Sequence, residues 1–431
     1  MPGLHHTLYN LLVGAAQPLL RRKLARRAQA EPLYGQAVQE RFGHYTQHWD
    51  TRTAAPRIWL HAVSLGEVRA AAVLLPALRE ALPGMRLLLT HGTATGRAEG
   101  ARLLQEGDVQ VWQPWDTPAA VRSFLQHFQP HVGLLMETEV WPNLVRHSAA
   151  AGVPVVLVNA RMSARSLRAA LRWAGLMRPT YAALHAAWAQ TEEDAQRLRA
   201  LGAPVTAVTD NLKFDATPDA AQRAQAQAWR TTCPRPVVML ASSREGEEAM
   251  WLQALQALNP ADRQAVQWLV VPRHPQRVDA VQALLQAAGW AVSRRSGWPL
   301  AGPPELGATT VWLGDSLGEM ALYYSLAHVA LLGGSFEALG GQNLIEAAAC
   351  GCPVLMGPHT FNFLEAAEQA ERAGAARRVA DMGQALHAAL QLVRAPAEQA
   401  AMAEAALQFV QGHKGTVRRV AGLVQQIWAG R

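Results

Sequence analysis

The sequence predicts an α/β protein built from two Rossmann-like domains that face a cleft, and three observations carry that prediction. Short apolar runs alternate with helix-patterned segments from residue 57 onward; the alternation lapses in a polar, alanine-rich stretch at 215–235; and beyond it the same pattern restarts. At 431 residues, 50% apolar and only 17% charged, the chain is long enough to bury the core of two or three domains.

The first segment, residues 1–40, is set apart by an apolar stretch from Leu8 to Leu20. Directly after it come Arg21, Arg22, Lys23, Arg26 and Arg27. The stretch is too short to cross a bilayer comfortably, and its positive charge follows the apolar part, the reverse of a secretory signal. A short apolar helix with a basic flank suits a segment dipping into the cytoplasmic face of a membrane, each basic residue contributing about 1 kcal/mol with anionic lipid. An amphipathic helix packed on the body of the protein is the other reading.

Residues 41–215 form the first expected domain, with strands at 57–63, 85–90, 109–112, 131–136, 154–158, 184–189 and 205–208. The second, 216–405, has strands at 236–241, 266–271, 309–313, 328–332 and 353–356. The remainder, 406–431, reads as a C-terminal helix packing back on the first domain. The restart echoes the first half locally: Ser64-Leu65-Gly66-Glu67 and Ser242-Ser243-Arg244-Glu245 both follow a strand and open a helix with Ser-x-x-Glu spacing. In open α/β sheets ligands bind beyond the carboxyl ends of the strands, which places function in these loops.

Composition narrows the partners. A net charge of +7 and a pI near 9.8 imply an anionic partner: nucleic acid, a membrane surface or a phosphorylated substrate. Nucleic acid is disfavoured, because only 6% of the chain is aromatic and the basic residues are not interleaved with stacking rings. The three cysteines, Cys233, Cys350 and Cys352, lack the second pair of a zinc site and read as reduced core residues. Phosphate-loop, dinucleotide and H-E-x-x-H patterns are absent, as is a D-x-D pair to hold a metal on a diphosphate. No cofactor and no metal are expected.

The positive signals lie at strand exits. Glu67 has two readings, a capping glutamate or a proton acceptor. Glu137-Thr138-Glu139-Val140-Trp141-Pro142-Asn143 places two carboxylates and an indole after a strand, or else simply starts a helix with Pro at N1. Arg161 and Arg165 follow the next strand at i, i+4, a spacing that suits gripping a phosphate or a solvated helix face. In the second half Pro272-Arg273-His274-Pro275 fixes an arginine between prolines. Gly333-Gly334-Ser335 and Gly340-Gly341-Gln342-Asn343-Leu344-Ile345-Glu346 form a glycine-rich loop and helix start suited to an anion, with Glu346 a turn in to accept ribose hydroxyls.

Taken in order, HAVSLGE, TGR at 95–97, ETEVWPNL, NARMSARS, QTEEDAQRLRALGA, NLKFD, ASSREGEE, VPRHPQR, DSLGE, GGS, GGQNLIEAA and GPHTFNF resemble the 3-deoxy-D-manno-octulosonic acid (Kdo) transferases of lipopolysaccharide synthesis. The resemblance runs from about Arg41 to the C-terminus. It implies a glycosyltransferase B fold, CMP-Kdo as donor, a tetraacylated, bisphosphorylated lipid A precursor as acceptor, and a place on the cytoplasmic face of the inner membrane. It assigns Glu67 as catalytic base and carries nucleotide binding to Pro272, Arg273, Leu317, Gly318, Glu319, Asn343, Leu344, Ile345 and Glu346. Ser64, Gly66, Arg97, Glu137, Arg161, Arg165, Lys213 and Ser242 become candidates for binding the acceptor or supporting the site. Where the family commonly has His-Asn-Pro-Leu-Glu, this chain has Gln342-Asn343-Leu344-Ile345-Glu346. A donor with one phosphate needs less neutralisation than a diphosphate, which Arg273 together with helix-terminal amides could supply without metal. Competing readings are another nucleotide-sugar protein of this fold, such as a UDP-sugar transferase or 2-epimerase, and a non-catalytic basic binding module.

Overall fold

The computed structural model describes residues 3–303, 307 and 309–431. The chain divides into two compact units, Met1–Asp215 with Gly415–Arg431, and Ala216–Lys414. Each unit is a parallel seven-stranded sheet with helices between the strands, the pair of Rossmann-like units expected of a glycosyltransferase B fold.

The first sheet contains β1 (Arg57–His61), β2 (Arg86–His91), β3 (Val109–Trp112), β4 (Val132–Met136), β5 (Val155–Ala160), β6 (Ala186–Ala189) and β7 (Val205–Val208), in the order β3-β2-β1-β4-β5-β6-β7. Its central strands read as unbroken apolar runs because both faces are covered; β1, β4 and β5 are buried along their whole length. The order reverses between β1 and β4, where His61 sits opposite Leu135. Loops leaving those two strands diverge and open a crevice at their carboxyl ends.

The second sheet contains β8 (Val237–Ser243), β9 (Gln267–Pro272), β10 (Ala291–Arg294), β11 (Thr310–Leu313), β12 (Val329–Leu332), β13 (Val354–Met356) and β14 (Ala376–Arg378). Their order is β10-β11-β9-β8-β12-β13-β14, which puts the reversal between β8 and β12. The edge strands β10 and β14 are not among the expected ones. Both are short and carry arginine, so they lack the apolar run that marks a central strand.

The expected boundary at 215/216 matches the division of the chain, but the segment after it and the C-terminal boundary differ from expectation. The alanine-rich stretch 215–235 is largely a helix, Ala220–Thr232, capped by Asp219 and holding Ala226 and Trp229 in the core of the second unit. The expected C-terminal helix 406–431 is broken: Pro396–Gly412 stays with the second unit, Gly415 turns at φ 97°, and only Thr416–Ala429 joins the first. That last helix buries Val420, Ala421 and Val424 against Leu74 and Leu78, while Asp215 accepts hydrogen bonds from Gly415 N at 2.7 Å and Val417 N at 2.8 Å.

The N-terminal segment is one helix, Leu4–Ala30, followed by two short turns of helix. Residues 1 and 2 of that segment lie outside the described residues. None of the described helices is long and apolar enough to cross a membrane.

Candidate active site

In the first unit the site begins where β1 ends. Ser64 caps the Leu65–Ala81 helix: its Oγ accepts from Glu67 N at 3.4 Å, and Glu67 Oε2 accepts from Ser64 N at 3.2 Å and Val63 N at 2.5 Å. The capping box is complete, yet it uses only one carboxylate oxygen. Gly66 beside it is exposed, and a side chain there would meet nothing nearer than Ser64 Oγ at 3.9 Å. Burial pushes the Glu67 carboxyl up to about 8; Glu139 and Glu137 add to the rise, and the Val63 and Ser64 amides oppose it.

The neighbouring carboxylates come from the β4 exit, across the reversal of strand order. Glu137 stands at φ 55°, a left-handed conformation rare for a residue with a side chain, held by its amide bond to Val158 O at 2.9 Å. Its carboxylate lies 4.0 Å from Arg161 Nη1 and 3.8 Å from Lys213 Nζ. Lys213 is brought there because Asn159, also left-handed at φ 55°, accepts Leu212 N on Oδ1 at 3.1 Å. Glu139 Oε2 accepts from Trp141 Nε1 at 2.9 Å and lies 3.9 Å from His61 Nε2. Burial raises Glu139, but the contacts with His61 and Trp141 outweigh it and leave its proton affinity below the ordinary glutamate value. Three carboxyls therefore share one crevice: two face cationic or N–H side chains, and the third, Glu67, has backbone amides as its hydrogen-bond partners among the described residues.

In the second unit the site again flanks the reversal. Ser242 adopts φ 53° at an irregularity in β8, where the register shifts between Ala241 and Ser243. The helix that follows starts at Glu247, with Gly246 as its N-cap, so the expected Ser-x-x-Glu box at Ser242 and Glu245 does not form. Glu247, buried, instead bridges loops: Oε2 accepts from Arg244 N at 2.9 Å and Gly334 N at 2.7 Å, and Oε1 from Phe336 N at 3.1 Å. Gly333 lets the β12 exit run against β8, since a Cβ there would sit 2.4 Å from Ser242 O.

Arg273 leaves β9 with its amide bonded to Ser243 O at 3.0 Å and its Nε bonded to Gln342 Oε1 at 3.0 Å. Gln342 thus orients the arginine. Asn343 caps the Leu344–Ala349 helix and donates from Nδ2 to Glu346 Oε1 at 3.0 Å. Gly318 turns at φ 81° and offers its carbonyl to Gln222 Nε2 at 2.9 Å; Glu319 is tied to Arg295 at 2.9 Å and to Ser316.

A family model described as 3-Deoxy-D-manno-octulosonic-acid transferase (kdotransferase) matches residues 36–216. The chain is 48% identical over 434 residues to the 3-deoxy-D-manno-octulosonic acid transferase of Bordetella pertussis, covering 98% of this chain and 99% of that one. The chain belongs to the 3-deoxy-D-manno-octulosonic acid transferase family. The Haemophilus influenzae transferase is 30% identical over 423 residues, covering 97% of both chains. Among solved structures, the UDP-GlcNAc 2-epimerase of Neisseria meningitidis superposes with a TM-score of 0.57 at 14% identity, over 87% of this chain and all of that one, a likeness of fold. As a member of this transferase family the chain is a glycosyltransferase.

Leu344 and Ile345 are buried, so any ligand would meet their backbone and not their side chains, whereas Leu317 is exposed. Arg161 precedes the Ser163 cap and so is off the helix that carries Arg165; the helical i, i+4 pairing does not form, and Arg165 is exposed. Arg97 pairs with Glu40 at 2.7 Å and lies over Trp112, in a cluster with Arg41. Sequence reasoning passed over His61, Glu247 and the pairing of Arg277 with Glu248 at 2.8 Å. The first two sit inside quoted motifs at strand exits, which was the available signal.

Proposed function

We propose that this chain transfers Kdo from CMP-Kdo to a bisphosphorylated lipid A precursor, with Glu67 as general base and Arg273 gripping the nucleotide phosphate. The observation that carries the reading is Glu67 itself, a buried carboxyl raised to about 8 beside two carboxylates that their own partners occupy. An acceptor hydroxyl attacks the anomeric carbon of the donor, its proton passes to Glu67, and the carbon–phosphate oxygen bond breaks with its electron pair leaving on CMP. The configuration inverts. A base whose proton affinity lies near the working pH both accepts and releases the proton readily.

Incubating the purified protein with CMP-Kdo and the acceptor and weighing the products by mass spectrometry tests the reaction. Glu67→Gln keeps the capping box, which glutamine also completes, and should lower turnover at least ~100-fold. Near-normal turnover would return Glu67 to a purely structural role. Tighter binding of UDP than CMP would favour a UDP-sugar enzyme of the same fold.

The same reading places the protein on an anionic membrane surface, cytoplasmic in the bacterial cell. The Leu4–Ala30 helix supports it by its orientation: Tyr9 donates to Asp116 at 2.7 Å, Asn143 donates to Asn10 at 2.8 Å and His6 meets Asn143 at 2.9 Å, so this face is turned inward. Leu4, Leu8, Leu11, Leu12 and Leu19 are exposed, and at helical spacing they fall on one face. Leu8, Leu11 and Leu12 changed together to Ser should release the protein from vesicles containing anionic lipid while leaving detergent-dispersed activity. Unchanged pelleting would assign the anchor to another surface.

A further inference from the structure

His61 is fully buried at the end of β1, and its Nε2 has no hydrogen-bond partner among the described residues. A buried polar atom without a partner is costly, and here it is part of a chain of contacts. Trp59 Nε1 donates to Thr90 Oγ1 at 2.8 Å, and Thr90 Oγ1 lies 2.8 Å from His61 Nδ1. With the indole proton on one side, the threonine hydroxyl can give its own proton to Nδ1, which puts the ring proton on Nε2. That N–H is the one facing Glu139 Oε2 at 3.9 Å. The separation exceeds a hydrogen bond, so the contact is electrostatic, and contacts of this kind tighten when substrate fills a site.

We propose that His61 is a positioning residue for the transfer: it holds the Glu139 carboxylate in place across the β1–β4 crevice, so that its fixed negative charge faces Glu67. This rests on the reading of Glu67 as base. Glu67 faces Glu139 and Glu137 and the Val63 and Ser64 amides; Glu137 is met by Arg161 and Lys213; Glu139 is met by His61 and Trp141, and its charge also reaches Tyr181, which is pushed up to about 12 first by burial and then by Glu139. His91 lies on the far side of His61 and is held neutral, its proton affinity lowered to about 4, first by burial. Glu137 has two cations to offset its charge. Among the described residues Glu139 meets a histidine and an indole but no cation, so its charge is the one His61 governs.

The experiment compares kcat/KM against pH for the wild type, Glu139→Gln, His61→Asn, His61→Gln and the His61→Asn/Glu139→Gln double variant. Glu139→Gln keeps an acceptor for Trp141 but removes the charge, and should move the acid limb down by roughly one pH unit, a tenfold change in the proton affinity of the base. His61→Asn keeps a partner for Thr90 and loses the contact with Glu139, so it should move the limb the same way by less. The double variant should match Glu139→Gln alone, and His61→Gln, which reaches towards Glu139 with an N–H, should restore most of the wild-type profile. A limb that stays within about 0.3 units in Glu139→Gln, or His61→Asn and His61→Gln behaving alike, overturns the proposal. Titration of the Glu67 carboxyl carbon by NMR, without substrate, separates the two readings. If that carboxyl shifts in Glu139→Gln while the rate profile stays still, the base assignment fails and the charge coupling stands.

Discussion

Two buried glutamates, one in each unit, leave a central strand next to the point where strand order reverses, and they do opposite things. Glu67 spends one oxygen on two backbone amides and shares its crevice with two further carboxylates. Glu247 commits both oxygens, to the amides of Arg244, Gly334 and Phe336, and thereby fixes the glycine loop of the second unit. Burial raises the proton affinity of both, but around Glu247 the amides pull back and around Glu67 like charges push further. Saturation of the oxygens, and not the spacing of a motif, separates the proposed proton acceptor from a structural staple.

The sharpest way to break this comparison is to exchange the roles. Glu247→Ala leaves three amides, two of them buried, without an acceptor and should cost roughly 3–6 kcal/mol of stability in the second unit. Chemical denaturation read with CMP binding checks it; a variant as stable as wild type would show that Glu247 is no staple. Glu67→Gln should do the reverse. The folded Glu67 holds its proton up to about pH 8, whereas in the unfolded chain it releases it near the ordinary value of 4.5. Between those values the folded state binds the extra proton, so wild-type stability falls as pH rises through that window and stays lower above it. The variant carries no such group and should be the more stable protein at pH 9 by roughly 2–5 kcal/mol, with the gap closing below pH 4.5. Parallel melting curves across pH would contradict the raised affinity.

How much of this was legible in the sequence follows from where the signals live. Central strands announced themselves as apolar runs, because covered sheets demand them on both faces. The edge strands β10 and β14 did not, and the helix at 220–232 hid behind alanines that supply helix propensity but little hydrophobic contrast. Glu67 stood out because its spacing and its place after a strand are local. Its partnership with Glu139 and His61 was not legible: it depends on β1 lying beside β4, with His61 opposite Leu135, and no local spacing encodes a pairing between strands so far apart in the chain. The same holds for Glu247, whose acceptor role depends on β8 lying beside β12.

A smaller effect sharpens the contrast between the units as chemistry. Arg273 is aimed by Gln342 and flanked by His274, whose proton affinity burial and the nearby Arg273 and Arg244 lower, so the arginines carry the local positive charge. Arg273→Ala should weaken CMP binding by roughly 1.5–3 kcal/mol, and Arg273→Lys should recover little, because a point charge replaces a planar fork. Calorimetry in excess chelator reads both variants. Affinity that survives Arg273→Ala, or that disappears with chelator in the wild type, would move phosphate binding away from this residue.

The smallest expected effect sits in the two serines whose spacing looks the same. Ser64 caps a helix through its hydroxyl, and its substitution by alanine leaves the Glu67 amide without that acceptor, a loss of about 1 kcal/mol. Ser242 lies at φ 53° in a strand irregularity, and the helix after it begins at Glu247 under Gly246. Ser242→Ala should therefore change stability by less than ~0.5 kcal/mol, and Ser242→Gly should raise it by about 0.4–1 kcal/mol, since glycine adopts that backbone without strain. Thermal melts of the three variants decide it. Equal losses for the two alanine substitutions would mean that both serines cap, and that the two units are more alike at their strand exits than their hydrogen bonds show.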